Sequence, residues 1–98
     1  MNFTVRWKDC TKSDAILAHI QEKMDGFEVF HFVLPEAKAE IVYYSKQNKF
    51  TARMNVSVKT KGVIRAEANE YDVITAINSC AEKITDQLRR VKTQFKDR

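Results

Sequence analysis

Seven apolar residues recur at intervals of four and three near the end of this chain: Val73, Ile77, Cys80, Ile84, Leu88, Val91 and Phe95. That spacing is the period of an α-helix with a single apolar stripe. The stripe is about 33 Å long at the helical rise, so it has to be buried against a surface of similar length. Asp72 falls in the first turn of this helix, where a negative charge is favourable.

The rest of the chain offers such a surface as strands with one apolar side. From Asn2 to Lys8, Phe3, Val5 and Trp7 alternate with Thr4, Arg6 and Lys8, the period of a half-buried strand. Ser13 and Asp14 then provide an N-cap and a dipole-compensating acid ahead of Ile16, Leu17, Ile20 and Met24, which are at helical spacing. The same period continues through Phe27 and His31, so the pattern predicts a first helix that runs to about Phe30, with Pro35 breaking the chain after it. Ala37, Ala39, Ile41 and Tyr43 alternate with Lys38, Glu40, Val42 and Tyr44. After the turn formers Ser45 to Asn48, the residues Phe50, Ala52, Met54, Val56 and Val58 face inward. These two runs read as a hairpin. Thr60, Lys61 and Gly62 turn the chain into a last strand, with Ile64, Ala66 and Ala68 on one side and Val63, Arg65 and Glu67 on the other.

The predicted order is β-α-β-β-β-α. One apolar side per strand and one stripe per helix are satisfied together by an α+β fold, a mostly antiparallel four-stranded sheet with both helices on one face. The other face is then open to solvent. Ninety-eight residues, 44% of them hydrophobic and 31% charged, suit a single domain over residues 1–98.

Charge is distributed unevenly. Between Lys83 and Arg98 six cations (Lys83, Arg89, Arg90, Lys92, Lys96 and Arg98) stand against Asp86 and Asp97, an excess that equals the formal charge of +4 on the whole chain. The positive potential is therefore concentrated on the last helix, which points to a polyanionic partner. A basic stripe at a helix C-terminus is also favoured by the macrodipole alone, by roughly 0.3 to 1 kcal/mol per charge, so a merely solvated face is the competing explanation.

Other chemistry has little to stand on. No apolar run approaches the roughly 20 residues needed to span a bilayer, and the N-terminus lacks the apolar core of a signal peptide. The expectation is a cytoplasmic protein without a membrane partner. Cys10 and Cys80 have neither disulfide-scaffold nor metal spacing and read as space-filling thiols. His19 and His31 have no carboxylate or cysteine at ligand spacing. No cofactor, metal or small-molecule substrate is expected. A small phosphate-ester hydrolase of acylphosphatase type would end in a strand and need a phosphate-cradling loop near its start. Here the chain ends in a helix, and residues 6–13 contain no glycine.

The segment Gly62-Val63-Ile64-Arg65-Ala66-Glu67-Ala68, followed by Asp72, Ala76-Ile77-Asn78, Lys83-Ile84, Gln87-Leu88, Arg90 and Lys92, resembles the ribosome hibernation-promoting factor family. Members of this family are also called ribosome-associated inhibitors or light-repressed proteins. Ser13-Asp14-Ala15-Ile16 and Glu22-Lys23-Met24 are similar to its first helix. The resemblance covers almost the whole chain. It implies the same β-α-β-β-β-α fold, related to double-stranded RNA-binding domains. It also implies a protein that binds the small ribosomal subunit and the 70S ribosome, in the channel for messenger RNA and tRNA anticodon stems, and so keeps idle ribosomes inactive. Asp86 stands where the family commonly has Lys or Arg. The family also has a long form whose separate C-terminal domain pairs two ribosomes, and the sequence is compatible with a short form or with the first domain of a long one.

Lys83, Gln87, Arg90 and Gln94 recur on one face of the last helix, and Arg89, Lys92 and Lys96 form the neighbouring stripe. Both stripes are candidates for contact with rRNA phosphates through charge-assisted hydrogen bonds and counterion release. Positions matching the family add Lys8 and Lys23, and strand alternation adds Arg53 and Arg65 on the open face. Arg53 and Arg65 can equally pair across strands with Glu40 or Glu67. Trp7, Tyr43 and Tyr44 can stack on bases or simply pack. A general module for structured RNA, without ribosome specificity, is the alternative function.

Overall fold

The computed structural model describes residues 1–59 and 62–96, with described side chains ending at Gln94. Six elements follow one another: β1 (Asn2–Lys8), α1 (Asp14–Phe27), β2 (Val33–Tyr44), β3 (Lys49–Val58), β4 (Gly62–Glu70) and α2 (Val73–Lys96). The strands form one sheet in the order β1-β2-β3-β4. β1 pairs with β2 in parallel, and the other two pairings are antiparallel. Only the first connection has to cross over the sheet, and α1 makes that crossing.

Both helices lie on the same face. Ile20, Met24 and Phe27 from α1 and Ala76, Ile77, Cys80, Ala81, Ile84, Leu88 and Val91 from α2 share one apolar cluster with Ala37, Ile41, Met54, Val56, Ile64 and Ala68 of the strands. From Val73 to Val91 the predicted stripe of α2 faces the core, widened by Ala76 and Ala81; the Phe95 side chain, its last member, lies outside the described residues. Alanines widen it because they let helix and sheet approach closely where a larger side chain would hold them apart. Half-buried Phe3, Val5 and Trp7 close the core on the β1 side, as their alternation predicts.

Four local expectations are corrected. α1 ends at Phe27 rather than near Phe30. Beyond it the backbone closes in tighter turns, Glu28 N–H to Asp25 C=O at 3.1 Å and Phe30 N–H to Phe27 C=O at 3.1 Å. The apolar period runs on through this stretch, but Val33 must already lie in the sheet, so the chain leaves the helical path and Val29 and His31 become exposed. Pro35, expected to break the chain, lies inside β2. It falls where the β2–β3 register shifts, between Val33 and Ala37, and just before the parallel ladder opens at Asn2 and Glu36. A residue without an N–H is tolerated at such a place. Val42, assigned to the open face, is on that face but only 2% exposed. Asp72 precedes α2 instead of lying in its first turn: its carboxylate accepts from the Thr75 N–H at 2.9 Å and the Thr75 hydroxyl at 3.1 Å. It is an N-cap, as Ser13 is for α1, where the hydroxyl accepts from the Ile16 N–H at 3.3 Å.

The turns keep their predicted places where described. Asn48 closes the β2–β3 hairpin at φ 53, a left-handed conformation that Asn tolerates, and Gly62 opens β4 at φ 81. Thr60 and Lys61, assigned to the same turn as Gly62, lie outside the described residues.

Candidate nucleic-acid interface

Strand pairing sorts the side chains of the uncovered sheet face into rows. Thr4, Lys38, Asn55 and Arg65 form one row, Arg6, Glu40, Arg53 and Glu67 the next, and Lys8, Val42, Thr51 and Asn69 a third. The middle row alternates in sign and largely neutralises itself. Arg53 meets Glu40 at 2.6 Å and Glu67 at 2.8 Å, while Arg6 lies 3.9 Å from Glu40. Glu67 first, then Glu40 and the Tyr44 side chain, raise the Arg53 pKa above its ordinary value. Arg53 is thus engaged by its neighbours, the pairing foreseen as the alternative to RNA contact.

The β4 edge is where sheet and α2 meet. Lys83 Nζ donates to the Glu67 carbonyl at 2.9 Å, and Gln87 Nε2 donates to the Arg65 carbonyl at 2.9 Å. These two side chains satisfy backbone carbonyls of an edge strand and obstruct pairing with another strand there. Both were assigned to RNA contact from the helical face they share. Arg65, Ala66, Lys83, Asp86, Gln87 and Arg90 line one shallow recess on this edge. The fold thereby brings together four of the nominated residues (Arg65, Lys83, Gln87 and Arg90) across two elements.

The others are dispersed. Arg89 lies 3.7 Å from Asp86 in an exposed pair, a contact worth little to stability. Lys92 is exposed, and neither it nor Arg90 has an ion pair among the described residues. The side chain of Lys96 lies outside the described residues. Lys8 is exposed at the end of β1. Lys23 is half-buried beside Glu22, Phe27, Asn78 and Glu82 in a recess between α1 and α2, on the helical side of the molecule. There His19 Nε2 and Asn78 Oδ1 join the two helices at 2.6 Å.

Two residues not nominated belong with these. Lys38 stands in the same row as Arg65, and Asp86 enters the β4-edge recess. Alternation alone shows that Lys38 points outward; only the strand register reveals its row.

Reactive groups are quiet. Burial pushes the Cys80 thiol up to about 12, so it stays protonated at neutral pH. Burial likewise raises Cys10, whose thiol donates to the Ile41 carbonyl at 3.4 Å. Among the described residues no three His, Cys, Asp or Glu side chains are placed to share a metal, and no helix is long and apolar enough to cross a membrane.

Residues 3–96 match the model of the family described as Sigma 54 modulation protein / S30EA ribosomal protein. The chain is 28% identical over 96 residues to a ribosome hibernation promotion factor of Staphylococcus aureus (strain COL). That alignment covers 97% of this chain and 50% of the relative, so the chain spans about half the relative's length. In fold it is similar to the N-terminal domain of Thermus thermophilus Protein Y, with TM-score 0.82 and 22% identity over 93% of this chain and 99% of that one. A ribosomal subunit interface protein from Coxiella burnetii gives TM-score 0.76 and 15% identity over 92% and 98% of the two chains. At these identities the two structures speak for the fold, which is the predicted β-α-β-β-β-α arrangement. The match over nearly the whole chain makes the family certain: this protein belongs to the non-enzymatic Sigma 54 modulation protein / S30EA ribosomal protein family.

Proposed function

We propose that residues 1–98 act as one ribosome-binding domain that occupies the messenger RNA and tRNA channel of the small subunit and holds the ribosome inactive. The names of its relatives, a ribosome hibernation promotion factor and a ribosomal subunit interface protein, support the ribosome as partner. The observation that carries the reading is the position of the cations. Arg90 and Lys92 stand exposed on α2 with no ion pair among the described residues, next to a recess where Arg65 and Lys83 add positive charge against Asp86 alone.

Such a surface suits phosphates of structured RNA. It offers charge at fixed spacing on a rigid helix without a groove that could read base edges. Within the nominated set, Arg90, Lys92, Arg89 and Arg65 are the primary phosphate contacts. Lys83 and Gln87 hold the β4 edge against α2 and keep the recess in shape. Lys8 on the opposite sheet edge, Lys23 between the helices and Lys96 near the end of α2 are secondary cations, and Arg53 contributes least because two carboxylates already surround it.

Sedimentation through a sucrose cushion with isolated 30S and 70S ribosomes tests the reading. Saturable pelleting near one to one with the small subunit, competed by tRNA and lost at about 0.5 M salt, is the expected result. Pelleting that tRNA does not compete would move the site out of the channel. A folded domain that fails to pellet at low salt but binds structured RNA would replace the reading with a general RNA-binding module.

A further inference from the structure

The open sheet face carries an aromatic feature at its β2–β3 turn end that the α2 site does not use. Of the three aromatics nominated for stacking, Trp7 packs half-buried against the core. Tyr43 stacks on Phe50 at 4.9 Å and donates its hydroxyl to Asn48 at 2.8 Å. Tyr44 differs from both, since it is 39% exposed. Its side chain is also among the groups that raise the Arg53 pKa. The Val42–Thr51 pair lies between the Tyr44 and Arg53 rows, which are about 13 Å apart along the strand. Val42 is 2% and Thr51 5% exposed on a face that no helix covers, so neighbouring side chains of that face cover them.

Charge surrounds the ring. Lys49 is the strand partner of Tyr44, and its ammonium lies 4.7 Å from the centroid of Tyr71, which is 69% exposed. Lys8 ends the adjacent row. The carboxylates in the middle strand row of this face, Glu40 and Glu67, are engaged by Arg53, and Asp72 beside Tyr71 caps α2. Asp9 lines a recess on the helical side, with Ile16 and Val73. An exposed aromatic surface flanked by cations with no ion pair among the described residues is the arrangement that takes a nucleobase with its phosphates.

We propose that Tyr44, with Tyr71, Lys49 and Lys8, forms a stacking site for an unpaired nucleotide of single-stranded RNA, separate from the α2 phosphate site. The proposal rests on reading the domain as an RNA-binding one, but it uses a different face and a different kind of contact. Base identity is not read here, because stacking accepts any base.

Fluorescence anisotropy with a 5′-labelled dodecaadenylate tests it, alongside an abasic oligonucleotide of equal length and charge. Tyr44→Phe keeps the ring and should bind within about twofold of the parent. Tyr44→Leu keeps an apolar cover over Val42 but has no π face, and should bind roughly tenfold more weakly, the loss of one stacked base. The abasic strand should bind the parent about as weakly as dodecaadenylate binds Tyr44→Leu. A Tyr44→Leu protein with unchanged melting that binds dodecaadenylate like the parent would overturn the site, as would equal binding of the abasic and adenylate strands. The α2 variant Arg90→Ala/Lys92→Ala separates the two readings. If it loses ribosome pelleting but keeps the preference for adenylate over abasic strand, both sites stand. If it pellets normally while Tyr44→Leu loses the preference, the α2 assignment fails and the stacking site remains.

Discussion

Arg53 on the sheet and Arg90 on α2 are the same residue type, yet they differ in availability. Arg53 stands between two carboxylates at 2.6 and 2.8 Å because strand register sets Glu40 and Glu67 directly opposite it. Arg90 has one acid within a helical turn, Asp86, and that carboxylate lies 3.7 Å from Arg89 instead. Cross-strand neighbours are about 5 Å apart at every position, so a sheet with mixed charges tends to neutralise itself. A helix offers each residue fewer neighbours and leaves part of its surface facing away from all of them. The number of cations in a sequence therefore says less about a polyanion site than whether each has an acid opposite it.

The comparison depends on α2 being aimed by its seam, and the largest effect comes from attacking that. Leu88 is fully buried beneath the cationic stretch. Leu88→Ala should cost about 2 to 5 kcal/mol, read as a lower midpoint in urea denaturation with an unchanged slope. A midpoint equal to the parent's would show that the seam does not hold the helix where the stripe requires it.

Next in size is the contrast itself. Arg90→Ala/Lys92→Ala should leave melting within about 0.5 kcal/mol of the parent, since both side chains are exposed. Ribosome affinity should fall roughly 10- to 100-fold, as expected for losing two charge-assisted phosphate contacts. Arg53→Ala should reduce affinity by less than about threefold. If the two variants lose affinity equally, the distinction between engaged and available cations is wrong.

How much of this was legible beforehand follows the same division between local and long-range information. β1 has its predicted bounds, Asn2–Lys8, and the α2 seam its predicted face through Val91, because periodicity is a local property. The end of α1 was misread because the apolar period persists past Phe27 while sheet entry at Val33 overrides it, a constraint set by β3 and β1 far along the chain. Val42 was misread because, with no helix on its face, its cover comes from neighbouring side chains of that face, and alternation cannot foresee a side chain lying over its neighbour. The exposure of Arg90 and Lys92 on α2 was legible from their place on a helical wheel, away from the seam. That Lys83 and Gln87 turn to the β4 carbonyls was not, since it depends on how closely α2 approaches the sheet edge.

The edge contacts predict a smaller effect. Lys83→Ala removes the donor to the Glu67 carbonyl, a loss of about 0.5 to 1.5 kcal/mol in stability. Ribosome affinity should fall less than for Arg90→Ala, since the ammonium is already turned toward the backbone. Uncovering part of the β4 edge should also raise self-association, measured by light scattering at increasing concentration. A Lys83→Ala protein with parental stability but with affinity as weak as Arg90→Ala would make Lys83 an RNA contact rather than an edge guard.

The smallest expected change runs in the opposite direction. Glu67→Gln removes one of the two carboxylates on Arg53 while leaving the stronger geometric restraint, Glu40 at 2.6 Å, in place. Glu67 is 64% exposed, so its ion pair is well solvated and the stability change should stay below about 1 kcal/mol. The open face then gains one net positive charge two rows from the proposed stacking site. Affinity for dodecaadenylate should rise a few-fold at low salt, and the gain should vanish above about 0.5 M, where the screening length is only a few ångströms. A rise that survives high salt would have to come from a new direct contact, and a fall in affinity would mean that Glu67 positions Arg53 for RNA instead of occupying it. Either result would erase the distinction between Arg53 and Arg90, because the carboxylate ladder would then be arranging a cation for a ligand and not withholding it.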